Sequence, residues 1–88
     1  MIGRVKFFNK RRDLPEEERE GRRWGIIMPD GAKPHERTKH VFFHEDVLQG
    51  AKSIVDGAEV EYEEIPGLPK DERKALSVKP LGRSYAAD

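Results

Sequence analysis

The chain has 88 residues, 17 Lys and Arg against 17 Asp and Glu, and no cysteine. That length holds one domain, 1–88, and excludes a second. The balanced charge excludes a strongly basic arm or an acidic tail as the main device, and does not favour nucleic acid, whose usual footprint is a positive excess. The missing cysteines exclude a disulfide framework and a thiolate zinc site. Leu, Ile, Val and Phe number 20 of 88, just above the level below which a folded core fails, so a small folded core is expected. The first nine residues hold no apolar run of signal-peptide length, and nothing approaches the ~18 apolar residues of a membrane span. The expectation is a soluble, cytoplasmic protein.

In chain order, Gly3 to Asn9 (GRVKFFN) is rich in β-formers and reads as a first strand. Lys10 to Arg23 follows, with 11 charged residues in 14 and Leu14 as its one apolar side chain. It reads as a solvated hairpin loop. Within it Asp13 and Glu16 have capping-box spacing, and Glu16, Glu17 and Glu18 suit the positive end of a short helix. Trp24 to Met28 (WGIIM) is a short apolar run ended by the turn signal Pro29-Asp30-Gly31. Ala32 to Lys39 reads as a polar loop, and His40 to His44 (HVFFH) as a third strand with a helical turn at Asp46 to Leu48 after it.

Ala58 to Ile65 alternates at period two. Ala58, Val60 and Tyr62 lie on one face and Glu59, Glu61 and Glu63 on the other, before a turn at Pro66-Gly67. Ala75 to Pro80 reads as a last strand with Leu76 and Val78 inward, and Ser84 to Asp88 as a frayed tail. Short strands at close spacing with Gly and Pro turns indicate an all-β barrel or sandwich.

The zero net charge is unevenly distributed. Residues 1–50 carry 11 Lys/Arg and 9 Asp/Glu, a surplus of two, and residues 51–88 carry 6 and 8, a deficit of two. The aromatics share the basic half: Phe7, Phe8, Trp24, Phe42 and Phe43 interleave with Lys6, Arg22, Arg23, His40 and His44. Rings stack on unpaired bases for about 1–3 kcal/mol per base, and neighbouring cations hold the phosphates. The competing reading buries all the rings. Phe7–Phe8 and Phe42–Phe43 are adjacent pairs, however, and in a regular strand one ring of each faces outward. A polyanion should therefore meet the first three strands, away from the acidic fourth.

At these residues the chain resembles the cold-shock domain family. Gly3 to Asn9 is similar to the family opening G-x-V-K-W-F-N. Arg23 to Ile27 (RWGII) with Pro29-Asp30-Gly31 resembles the first ribonucleoprotein motif K-G-F-G-F-I and its turn, and Val41 to His44 (VFFH) resembles the second, V-F-V-H. Lys52-Ser53-Ile54 with Asp56-Gly57 and Val60 resembles the later K-x-L-x-x-G-x-x-V stretch, and Ala75 to Leu81 the final A-x-x-V strand. The likeness runs from Met1 to about Leu81, interrupted by the two charged loops.

The resemblance implies a five-stranded antiparallel OB-fold barrel that binds single-stranded RNA or DNA; no cofactor and no small-molecule substrate are expected, and the oligomeric state stays open, with a monomer the expectation. It implies that Phe7, Trp24, Phe42 and His44 line the nucleic-acid face, with Lys6 and Asn9 nearby and Lys6, Arg22 and Arg23 reaching phosphates. Val5, Ile27 and Phe43 then belong to the core. Phe8 stays open: strict alternation sets it opposite Phe7, and a bulge changes that.

Three departures weaken the ring set. Ile26 stands at an aromatic position and becomes an aliphatic contact. Glu45 stands where a further ring follows the histidine, bringing a carboxylate beside a phosphate track. Ala51 sits near another ring position. Losing three rings at ~1 kcal/mol each costs about a hundredfold in affinity.

The remaining alternatives are narrower. His40 and His44 are about 13 Å apart on one strand, too far to share a metal. No nucleophile motif, phosphate loop or zinc signature points to an enzyme. The rival function is an OB-type protein-interaction module with weakened or lost nucleic-acid binding.

Overall fold

The computed structural model describes residues 1–33, 35, 39–50, 54–69 and 72–81. Ala51, Lys52, Ser53, the tail 84–88 and most of the loop before Lys39, all of which entered the sequence reading, lie outside the described residues. The elements are β1 (Ile2–Asn9), α1 (Glu16–Arg19), β2 (Trp24–Pro29), β3 (Val41–His44), a 3-10 turn (Glu45–Val47), β4 (Glu59–Glu64) and β5 (Ala75–Pro80). The strands form one antiparallel sheet in the order β3-β2-β1-β4-β5.

No continuous hydrogen-bonded ladder joins the two edge strands. The β3 side meets the β5 side through isolated parallel bridges at Phe42↔Lys74 and Leu48↔Val78. The expected closed barrel is therefore present only as an all-β five-stranded sheet whose edges approach each other. Among the described residues no helix is long and apolar enough to cross a membrane.

A bulge in β1 settles the open position of Phe8. Val5 pairs with Ile27 and Phe7 with Ile26, so Lys6 is the extra residue that the ladder skips. An extra residue changes the phase of the pleat by one step. Val5 and Phe8 consequently both face the core, while Lys6 and Phe7 lie outside it. Beyond the bulge the Phe8 N–H donates to Asp56 Oδ1 at 2.9 Å.

A second irregularity corrects the reading of β5. Glu63 pairs with Ser77 and Glu64 with Ala75, which leaves Leu76 outside the ladder. Ala75 and Val78 turn inward instead, and Leu76, expected in the core, is 54% exposed. The alternation in β4 holds: Ala58, Val60 and Tyr62 are buried and Glu61 and Glu63 exposed.

The capping box does not form. α1 has Pro15 at its N-cap, with no side-chain cap, and Asp13 instead takes the Arg11 guanidinium through two 3.0 Å bonds. The reason is local: a residue before proline is pushed out of the α region, so Leu14 cannot open a helix and α1 starts after Pro15. α1 buries no residue, as a solvated segment should.

The core joins Val5, Phe8, Ile27, Val41, Phe43, Ile54, Ala58, Val60, Tyr62, Ala75 and Val78, with Val47, Leu48 and Val55 packed against it. Burial raises the pKa of the Tyr62 phenol above its usual value.

Candidate nucleic-acid interface

The register of β1, β2 and β3 gathers six of the nine scattered candidates into an ordered face. Phe7 pairs with Ile26 and Ile26 with Phe42, which makes one cross-strand row. Asn9 pairs with Trp24 and Trp24 with His44, which makes a second. All six side chains are partly exposed. The intervening rows, Val5–Ile27–Val41 and Phe8–Gly25–Phe43, are buried on the opposite face. Period two in β2 and β3, with the bulge in β1, produces this division.

Trp24 is the hub of the ring surface. Its centroid lies 5.5 Å from that of Phe7 in an edge-on arrangement and 5.6 Å from that of Phe42, with those two planes inclined by 29°. Trp24 stands diagonally between two members of the first row, within reach of both. On the buried side Phe8 and Phe43 stack nearly parallel, with centroids 5.7 Å apart.

The first row floors a groove of about 540 Å³, walled by Lys6, His40, Glu72, Arg73 and Lys74. The 72–74 wall is docked by the Phe42 N–H donating to the Arg73 carbonyl at 2.9 Å. Arg73 itself is held by Glu64, at 2.6 and 2.7 Å, and donates to the Lys39 carbonyl at 2.8 Å. Its guanidinium holds the Glu64 carboxyl below the usual glutamate value, with burial opposing. Sequence reasoning missed Lys74 and Glu72 as groove residues. No local signal marks them, because a bridge spanning some thirty residues of chain brings them beside Phe42.

The polar candidates fare differently from one another. His44 Nδ1 lies 3.2 Å from the Asp46 N–H, capping the 3-10 turn, and 3.3 Å from Asp46 Oδ2. Asn9 Oδ1 accepts the Arg11 N–H at 2.9 Å. Arg22 and Lys6 are exposed and make no ion pair among the described residues.

Arg23, expected to reach phosphates, is engaged by Glu45: Nη2 to Oε2 is 2.9 Å and Nε to Oε1 3.3 Å. Burial works to raise the Glu45 pKa, but the Arg23 guanidinium and the backbone N–H groups of Arg23 and Gly21 outweigh it and hold it below the usual value. The carboxylate that the sequence placed beside the phosphate track thus has its charge met internally. Among the described residues no three His, Asp or Glu side chains converge as metal ligands.

Fold and site together define a five-stranded antiparallel sheet, with one short helix, that carries a partly exposed aromatic face opposite its buried core face. No protein-family model matches the chain, and no curated protein matches it.

Proposed function

We propose that this chain is a cold-shock-type, OB-like domain that binds single-stranded RNA or DNA by stacking unpaired bases on Phe7, Trp24 and Phe42, with His44 and Ile26 completing the surface. Lys6 and Arg22 hold phosphates beside the rings. The observation that carries this reading is the pair of partly exposed rows, Phe7–Ile26–Phe42 and Asn9–Trp24–His44, on one face of a sheet whose other face is closed. A contiguous ring surface in water is costly without a ligand, and rings accept any base because every base has a π-face. Trapping unpaired strands in this way resists RNA secondary structure, the action of an RNA chaperone in the cytoplasm. No step of bond making is involved.

Titrating Trp24 fluorescence with oligo-dT and oligo-U at low salt tests the reading. Saturable quenching or a spectral shift is expected. Phe42→Ala should weaken binding by about 1–3 kcal/mol, and Trp24→Ala, followed by anisotropy of a labelled oligonucleotide, by a similar amount. No change up to high micromolar concentration overturns the proposal and favours a protein partner for the same face. With few cations at the rings, the logarithmic salt slope should be shallow, between about −1 and −2.

A further inference from the structure

Just beyond the Trp24–His44 row the chain builds an anion seat and fills it itself. Three N–H groups converge on the Glu45 carboxylate: Arg23 Nε and Nη2, and the Arg23 backbone N–H at 2.8 Å. The Glu45 N–H in turn donates to the Arg23 carbonyl at 3.0 Å. The two side chains are 16% and 10% exposed, so the pair is largely sheltered with a small edge reaching solvent. Both residues lie immediately outside the strands, Arg23 before β2 and Glu45 after β3, so the pleat does not dictate which face they serve.

A guanidinium fork flanked by a backbone N–H is suited to a phosphate as well as to a carboxylate, since both present two oxygens to parallel donors. We propose that this seat is a phosphodiester site that Glu45 occupies in the free protein, and that Glu45 thereby sets how many phosphates the chain engages. The inference rests on the base-stacking function proposed above. The tethered carboxylate holds the seat by its high effective concentration. A strand stacked on Trp24 and His44 brings its own phosphate to a comparable local concentration, and the two anions then compete for one guanidinium. Removing the carboxylate takes away the anion that competes with the strand for this seat.

The test measures oligo-U affinity from 50 to 200 mM salt for the wild type, Glu45→Gln and the double variant Glu45→Gln/Arg23→Gln, whose net charge equals that of the wild type. Glu45→Ala serves as a second single variant, and Glu20→Gln, in the exposed loop, as a charge-matched control. Thermal melting by circular dichroism establishes that each is folded.

Glu45→Gln should bind more tightly by about tenfold at 50 mM salt and about fourfold at 200 mM, because one added phosphate contact steepens the single-strand slope by about 0.7. The double variant should return to the wild-type slope, and Glu20→Gln should leave it unchanged. A folded Glu45→Gln with the wild-type slope overturns the proposal, as does a steeper slope that survives in the double variant or appears equally in Glu20→Gln. Those results leave the stacking function intact. Absence of binding by every variant overturns the stacking function, and the seat with it. Binding by Glu45→Gln alone supports the seat directly.

Discussion

Gly25 has no side chain because the Phe43 ring and the Phe7 carbonyl leave no room for one. A Cβ there would lie 2.6 Å from Phe43 Cε1 and Cζ and 2.8 Å from the Phe7 carbonyl oxygen. Gly25 sits in the cross-strand row between Phe8 and Phe43, whose planes differ by only 6°. Gly25→Ala must push Phe43 out of this stack, and overpacking of this kind costs about 1–3 kcal/mol. The expected result is a lower urea midpoint at unchanged slope. The family resemblance implied Trp24 outward and Ile27 inward, whereas the need for glycine between them was not readable, because it depends on the Phe43 ring eighteen residues later in the chain.

Among the elements, β1 carries the most information. Its first half pairs with β4 as well as β2, and its second half pairs with β2 alone. The amide freed at Phe8 is satisfied by Asp56, on the segment just before β4. Asp56→Ala leaves a part-buried donor without its charged acceptor and should cost about 1–3 kcal/mol. Asp56→Asn keeps a carbonyl acceptor and should cost less. Chemical denaturation of the two variants side by side checks the ordering.

The strands of this sheet were legible in the sequence because β-rich runs end at Gly and Pro turns. The two bulges were not, since an extra residue in a ladder is decided by the partner strand. The Leu76 reading failed for that reason, and the Asp13 cap failed because Pro15 acts on the residue before it.

At the scale of the whole molecule the neutral charge resolves into paired and unpaired sites. Arg23–Glu45 ties the start of β2 to the end of β3, and Arg73–Glu64 ties the segment before β5 to β4 and to the Lys39 carbonyl. Both glutamates have pKa values lowered below the ordinary 4.5 by their arginines. A carboxylate more acidic in the folded than in the unfolded chain contributes stability that is complete above the ordinary value and is lost as pH falls through the lowered one. Thermal stability should therefore drop below about pH 4.5. Glu64→Gln should melt lower than the wild type at pH 7 and should lose less on acidification, so that the two curves converge towards pH 3. Parallel curves would show that the Arg73 fork does not shape the acid limb.

The sequence alone determined which segments are strands, which half is basic and aromatic, and that the fourth strand is acidic on one face. These are local properties: periodicity, turn chemistry and composition act within a few residues. It also contained the ring pairs, whose adjacency requires one ring of each to leave the core. Only the tertiary structure decided which ring leaves, because the bulge at Lys6 sets the phase of β1 against β2. Only the tertiary structure placed Lys74 in the groove and gave Arg23 to Glu45, because those contacts join residues far apart in the chain. The neutral total of 17 against 17 reflected this poorly, since charge acts through position and a guanidinium held by a carboxylate no longer presents its full charge to a phosphate.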